Sequence, residues 1–213
     1  MKNLFTSILW LFCASVSFIQ LSCADDASKK DKPNSPSKDT GTKTKTVVEA
    51  TKKAPIINIT DTLTTPATIV YLKDSAANTD RIGLKLAQIY AVKLPAFLKK
   101  NKLKMTGAPM AWYKSQKAPF FFEAGCPVDK APKKLTPGIY TKQIKKDSAL
   151  VAHFYGPYEL NAQAYDILGE MLKTRKRKLA GAPFEVYIED PMDKDGKMKD
   201  PYKVLTDIIF PYK

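Results

Sequence analysis

Two tyrosines at matching places in the chain mark the first residues that could bind a ligand. Tyr113 follows the Gly-Ala-Pro of residues 107–109, and Tyr187 follows the same triplet at residues 181–183, which is 74 positions later (187 − 113). The second copy also carries Glu185, two residues before its tyrosine. Carboxylates beside aromatic rings suit cationic or hydrophobic ligands, so these residues indicate a small-molecule site.

Two further acids occupy equivalent places in two later apolar runs. Glu123 lies four residues before Pro127 in FFFEAGCPV, and Asp207 lies four residues before Pro211 in VLTDIIFPY. Both runs have the aromatic and branched composition of strands. We expect the ligand site to be lined by Tyr113, Glu123, Tyr187, Asp207, Glu185 and Phe121.

Strand alternation predicts which of these side chains share a face. After the first triplet, Met110 and Trp112 point to one side of the strand and Tyr113 to the other. The second strand repeats the pattern, with Glu185 and Tyr187 together. We expect the apolar pairs to pack under helices and the tyrosines to face a groove on the opposite side of the sheet.

An amphipathic helix is predicted before each triplet. Pro95 should kink the first helix because it lacks a backbone donor. In each triplet the glycine suits the end of the helix and the proline the entry to a strand. The apolar positions that recur every three or four residues are Ile82, Leu86, Ile89, Tyr90, Leu94, Phe97 and Leu98 in the first helix, and Leu160, Ala164, Ile167, Leu168, Met171 and Leu172 in the second.

Together these segments predict an internal duplication. Each half, about 65–130 and 135–213, has the order strand, helix, strand, strand. The fold class is therefore α+β: duplicated units forming a mostly antiparallel sheet, with two main helices on one face and a ligand groove on the other.

The N-terminal segment is typical of an exported protein. Residues 1–23 read as a signal peptide, and the polar residues 24–54 read as a disordered tether before a domain at 55–213. Cys23 stands at the end of the apolar run, after the small Ser22, which favours lipidation and attachment to a membrane of the cell envelope, although Gln20 replaces the usual leucine of a lipobox. The alternative is cleavage after Ala24, which would leave a soluble secreted or periplasmic protein.

Charge and metal-ligand content narrow the function classes. The net charge is +14, and the densest basic run is residues 173–178. This run falls where a helix should end, where cations complement the helix dipole; export argues against a nucleic-acid partner and leaves acidic lipid or polysaccharide surfaces as the alternative. With His153 as the only histidine and no Cys/His cluster, we expect neither a metal site nor a cofactor.

At these positions the sequence resembles the GyrI-like family, the bacterial effector-binding domain. The resemblance covers about 65–213 and rests on motifs in a fixed order. The family usually has Glu in the closing strand where this chain has Asp207. The motifs are Gly156-Pro157-Tyr158-Glu159, Gly181-Ala182-Pro183 followed by Glu185 and Tyr187, Asp190-Pro191, and Leu205-Thr206-Asp207.

The resemblance implies a small-molecule cleft between the two halves. Relatives are often fused to a DNA-binding domain, but here a signal and tether take that place, so we expect a binding protein and no regulator. One alternative is a hydrolase of strained or electrophilic small molecules, with Glu123 as general base and Tyr113 as donor. A haem carrier, as in the related SOUL-type fold, would need His153 as its iron ligand.

Overall fold

The computed structural model of this chain describes residues 53–213, which form an eight-stranded antiparallel sheet with helices against one face. The predicted signal segment and nearly all of the predicted tether lie outside the described residues. No helix among residues 53–213 is long and apolar enough to cross a membrane. The strands are β1 (Ile56–Leu63), β2 (Ala67–Ala76), β3 (Met110–Tyr113), β4 (Phe120–Val128), β5 (Ile139–Ile144), β6 (Ser148–Tyr155), β7 (Phe184–Tyr187) and β8 (Leu205–Tyr212).

Three α-helices complete the two units. They are α1 (Thr79–Gln88), α2 (Leu94–Asn101) and α3 (Asn161–Thr174). Each unit has the order strand, strand, helical segment, strand, strand, which confirms the α+β duplication and adds one strand to the start of each predicted unit. The alternation of Ile with polar residues in β1 is a period-two signal for the strand that the prediction lacked.

The helical segment of the first unit is interrupted where Pro95 was expected to disturb it. One turn of π-helix, Ile89–Lys93 and here called the π-turn, separates α1 from α2, and Pro95 lies in the first turn of α2. A proline inside a regular helix removes one hydrogen bond and its ring meets the carbonyl four residues earlier. A widened turn directly before the proline accommodates this defect, as π-bulges do elsewhere.

The two edge pairs of the sheet form one continuous two-stranded ribbon, in which β1 runs on into β2 and β5 runs on into β6. The strand order is β1-β6-β8-β7-β3-β4-β2-β5, so β1 with β6 forms one edge and β2 with β5 the other. The numbers of facing residues add up to 211 in both pairings, as for Ile56 with Tyr155 and Ala67 with Ile144. The register therefore continues through the two short connections, and the ribbon bends from one edge of the sheet to the other.

Thr64 fixes this bend. Its hydroxyl donates to the carbonyl of Lys145 at 2.6 Å, lies 3.2 Å from the carbonyl of Asp147, and accepts from the Asp147 amide at 2.9 Å. The backbone amide of Thr64 donates to the same Asp147 carbonyl at 2.9 Å. Because a buried hydroxyl without partners is destabilising, this set of bonds explains how a polar residue is buried at the bend.

Two hydrophobic clusters lie beneath the helices. The first packs α1, the π-turn and α2 against β2 and β4, around Ile82, Ile89 and Phe122. The second packs α3 against β6 and β8, around Leu150, Leu168 and Ile208. Each unit therefore buries its own helical layer.

The opposite face of the sheet, here called the open face, carries a third cluster. Its members include Trp112, Phe184 and Val186, with Met110 packed against them. The prediction that these apolar side chains lie under the helices is wrong. The bend of the ribbon supplies Ile144 to the cluster, so the open face has a core of its own.

Both long helical segments end in the same way, 74 residues apart. Lys102 and Lys176 each adopt the left-handed conformation with φ of 53°. In each case the following amide donates to a carbonyl five residues earlier, from Leu103 to Leu98 and from Arg177 to Leu172. This Schellman arrangement precedes each Gly-Ala-Pro and shows that the repeated triplet belongs to a repeated helix end.

Replacing Lys102 or Lys176 with glycine should stabilise the protein. A residue with a Cβ is strained in the left-handed region, whereas glycine adopts it freely, so we expect each substitution to raise the free energy of unfolding by about 0.5–1 kcal/mol. Urea denaturation measures the change. Lys99→Gly, inside α2, is the matched control and should lower stability by a similar amount; an equal loss in all three variants would contradict the argument.

Candidate functional site

Glu185 lies at the seam where the two halves of the sheet meet. Strands β3 and β7 pair there over only two residue pairs, and Glu185 faces Ala111 on one side and Ile208 on the other. The side chain is on the helix-covered face and is 0% exposed. A carboxylate at this depth requires hydrogen-bond donors, since the charged form loses its hydration.

Donors from several elements surround the Glu185 carboxylate. The hydroxyl of Tyr165 donates to Oε1 at 3.1 Å, and the hydroxyl of Tyr187 donates to Oε2 at 3.0 Å. Asn161 Nδ2 donates to Oε1 at 3.4 Å, and Tyr158 lies near enough for the Glu185 charge to add to burial in raising the pKa of its phenol. The hydroxyls of Tyr113 and Tyr187 are 2.9 Å apart, and because the Tyr187 proton is directed to Glu185, Tyr113 donates to Tyr187.

These contacts set the ionisation of the group. Burial raises the pKa of Glu185 to about 7, although the hydrogen bonds from Tyr187, Tyr165 and Asn161 act in the opposite direction. Burial and the nearby Glu185 also hold the pKa values of the phenols of Tyr113 and Tyr187 far above the ordinary range. The tyrosines therefore remain hydrogen-bond donors near neutral pH, while the carboxyl group can gain or lose its proton.

Tyrosine rings from both units cover Glu185 where their helical layers meet, a place here called the crevice. Five are half-buried there, whereas the carboxylate beneath them is fully buried. Tyr90 packs edge-on against Tyr187 at 6.0 Å between centroids, and Tyr113 lies 6.2 Å from Tyr158. The five are Tyr90, Tyr113, Tyr158, Tyr165 and Tyr187.

Within residues 53–213, no lysine, arginine or histidine forms an ion pair with Glu185. The Oδ1 atom of the neighbouring Asn161 is buried and accepts no hydrogen bond from any described residue. The centre of the crevice thus combines an uncompensated carboxylate with an unused acceptor. Such a site is suited to a positively charged guest that also carries apolar surface.

Glu123 lies on the open face, away from these tyrosines. Its carboxylate accepts a hydrogen bond from Lys142 Nζ at 2.6 Å and lies 3.9 Å from Lys73. The same Lys142 ammonium lies 3.5 Å from the centroid of the Trp112 ring and 4.5 Å from that of Tyr71. Burial lowers the pKa of Lys142, and the carboxylate opposes this effect. Glu123 is therefore already neutralised from within the chain.

Asp207 and Phe121 also lie apart from the tyrosine crevice. Asp207 Oδ1 is 2.6 Å from His153 Nδ1, and His153 Nε2 is 3.1 Å from the Thr60 hydroxyl. Iron ligation by His153 would break one of these two bonds. Phe121 is 50% exposed near the start of β4, and Cys126 is buried, which raises the pKa of its thiol to about 11.

A groove of about 650 Å³ is present on the open face. Its lining includes Trp112, Glu123 and Lys142 from the sheet, Lys145 from the ribbon bend, and the loop residue Pro183. The predicted groove on the face without helices is therefore present. Tyr113 borders this groove, but its ring packs on the helix-covered face and its hydroxyl bonds to Tyr187 there. Tyr187 and Glu185 are not in the groove, so the prediction that the tyrosines face it is wrong, and the six expected site residues are divided between two faces.

The family model for the GyrI-like small molecule binding domain matches residues 66–213. This chain belongs to that family. No curated protein sequence matches it significantly.

Solved structures with the same fold are distant in sequence. The C-terminal domain of EcmrR gives a TM-score of 0.58 at 18% identity, over 74% of this chain and 98% of that one. EcmrR in a DNA complex gives 0.60 at 17% identity over 74% of this chain, which spans 57% of the length of that protein. SAV2435 bound to tetraphenylphosphonium gives 0.50 at 13% identity, over 73% of this chain and 94% of that one.

The structure of this GyrI-like domain joins three of the predicted site residues, Tyr113, Glu185 and Tyr187, and adds partners that the prediction did not include. Tyr165 and Asn161 come from the apolar side of α3, and Tyr158 from the short turn before it. In the sequence these residues are recognisable as polar side chains that lie within or beside the apolar stripe of a predicted helix. A phenol or amide there is buried and must find a partner, which here is Glu185.

The pKa of Glu185 predicts a pH-dependent stability. Because its folded value of about 7 exceeds the ordinary 4.5, the folded state binds the proton more tightly, and the free energy of unfolding should fall as pH rises from 4.5 to 7. The full loss is about 3 kcal/mol. Glu185→Gln should remove it and be the more stable form at about pH 8, measured by urea unfolding at several pH values. If the free energy of unfolding changed with pH in the same way in the wild type and in Glu185→Gln, the raised pKa of Glu185 would be contradicted.

Proposed function

We propose that this GyrI-like domain binds a lipophilic organic cation in the crevice between its two halves, with Glu185 as the counter-charge. The observation that supports this most strongly is the complete burial of a carboxylate that has no cationic partner among the described residues. Removing a charge from water is unfavourable unless it is paired. A bound cation would provide the missing charge.

The aromatic walls support the same ligand class. A cation over the faces of Tyr113, Tyr187 or Tyr90 would gain cation–π attraction, and its apolar groups would contact the rings. The binding of tetraphenylphosphonium by a protein of the same fold, SAV2435, agrees with this proposal. Because Glu185 is covered, the ligand must part the rings or shift the π-turn Ile89–Lys93, which carries Tyr90.

A binding role is favoured over the hydrolase alternative because the two residues that the hydrolase would need lie apart. Glu123 and Tyr113 were the expected base and donor, yet their side chains lie on opposite faces of the sheet and Glu123 is bonded to Lys142. A base and a donor must both reach one substrate. Glu185, with a pKa near 7, is the carboxyl group that a reaction in the crevice would use.

Binding of tetraphenylphosphonium, measured by isothermal titration calorimetry, tests the proposal. Glu185→Gln keeps the shape of the side chain and removes its charge, so we expect the affinity to fall about tenfold or more. The wild-type affinity should rise with pH through about 7, because the bound cation favours the ionised carboxylate.

Glu123→Gln is the matched control, since it removes a carboxylate of the same type from the open face. We expect it to leave the affinity within about twofold of the wild type. Equal affinities for wild type and Glu185→Gln would reject the crevice as the cation site. An equal loss in the Glu123 and Glu185 variants would indicate attraction to net charge alone.

We also propose that the domain is held in the cell envelope by a lipid on Cys23. The sequence features that support this are the apolar run ending at the cysteine and the polar segment after it. The mass of the protein isolated from the membrane fraction should include acyl chains, and Cys23→Ser should move the protein to the soluble fraction. An unmodified N-terminus at Asp25 would instead establish cleavage after Ala24.

A further inference from the structure

Lysines gather where the ribbon bends, at one end of the second unit. Backbone bonds place Lys178 beside Lys213, and the register places Lys213 next to Asp147, so that Lys145 and Lys146 follow directly. The group also includes Lys176 and is called the basic end. Its five lysine side chains are exposed and form no ion pair with any described residue. The acids in or beside this part of the register are Asp147 and Asp61, and Asp61 is already paired with Arg175 and bonded to the Tyr212 hydroxyl.

The duplicated fold provides an internal comparison for this end. In the first unit, the Asp129 amide donates to the Lys104 carbonyl at 3.0 Å, and the Asp129 carboxylate accepts from the Lys104 amide at 2.8 Å. In the second unit, Lys178 and Lys213 occupy the equivalent positions and exchange two backbone hydrogen bonds, at 3.1 and 2.9 Å. A cation therefore replaces the acid that occupies the equivalent place, and the accumulation of charge is specific to one copy.

Exposed apolar side chains accompany these lysines. Leu63 is 54% exposed at the end of β1, and Leu179 is 46% exposed next to Lys178. The register Leu63–Ser148–Tyr212–Leu179 places both leucines in one row across the sheet. Strand alternation directs Lys178 and Lys213 to the open face and the leucine row to the helix-covered face, so cations and apolar side chains meet at the end of the sheet. An end of this kind can rest on lipid headgroups with its apolar side chains entering the boundary.

We propose that the basic end docks on the phosphate-bearing surface of an anionic bilayer. Phosphates of the headgroups would bind the lysines, and Leu63 and Leu179 would reach into the boundary between headgroups and acyl chains. A nucleic acid or an acidic polysaccharide would use the charges and leave both leucines in water, so the leucine row favours the bilayer. The inference uses no residue of the tyrosine crevice and holds whether or not that crevice binds a cation.

Flotation of the full chain with vesicles tests the docking surface. The measured quantity is the increase in binding when phosphatidylglycerol is added to phosphatidylcholine vesicles, which separates the charge effect from any general affinity of the N-terminal apolar run. Lys146→Gln, Lys178→Gln and Lys213→Gln together should reduce this increase on the order of a hundredfold, or about fivefold for each lysine. Added salt should have a similar effect in the wild type.

The first unit offers a control of equal charge. Lys99→Gln, Lys100→Gln and Lys104→Gln remove three exposed lysines from the corresponding end and should change the increase by less than about threefold. Leu63→Ser with Leu179→Ser should weaken binding without changing the net charge. Unchanged thermal unfolding would show that each variant folds.

Three results would overturn the proposal. One is that the triple variant of the basic end binds the vesicles as well as the wild type does. Another is an equal loss in both lysine triples, which would show that net charge alone is responsible. The third is a lysine-dependent affinity that the leucine substitutions do not alter and that duplex DNA or polyphosphate abolishes, since this would identify a soluble polyanion as the partner.

Discussion

A carboxylate buried without a cation is the constraint around which this domain is organised. Glu185 keeps its place because hydroxyl groups from Tyr165 and Tyr187 donate to its two oxygens, and those side chains come from a helix and a strand of the second unit. Tyr113 reaches the same network from the first unit. The network therefore requires the two units to pair along β3 and β7. Its ionisation, stability and ligand preference all follow from a charge that the protein hydrogen-bonds but does not neutralise.

Duplication made such a site possible, and divergence between the copies made it specific. Ala111 and Glu185 occupy equivalent positions 74 residues apart and face each other across the seam, while Tyr113 and Tyr187 are equivalent and share a hydrogen bond. A second glutamate in place of Ala111 would put two carboxylates opposite each other in a buried pair, where like charges strongly disfavour joint ionisation. The fully buried alanine leaves one charge at the pseudo-symmetric centre. The two tyrosines were retained, and only one acid is present.

The sequence predicts the duplicated architecture but not the face of the sheet on which the site lies. Helical periodicity, the two Gly-Ala-Pro triplets and strand alternation correctly predicted the duplicated units and the grouping of Tyr113 apart from Trp112. The rule that apolar residues lie under helices failed because the bent ribbon buries the other face as well, through contacts of residues such as Ile144. That bend depends on Thr64 bonding to carbonyls more than eighty positions away, and no local pattern encodes it. The strand β5 was missed for the same reason, since its pairing with β2, about seventy positions away, stabilises it.

Glu123 and Glu185 show why residue type alone could not decide between candidate sites. Both are acids in strands beside aromatic residues, and both fitted the expectation of a cation site. At Glu123 the cation is already present: Lys142 lies against Trp112 and Tyr71 while its ammonium donates to the carboxylate. This is the recognition chemistry proposed for the crevice, satisfied by the chain itself. Glu185 has the same aromatic setting at greater depth and no cation from residues 53–213. Of the two carboxylates, Glu185 is therefore the one whose electrostatic requirement is left for a ligand to meet.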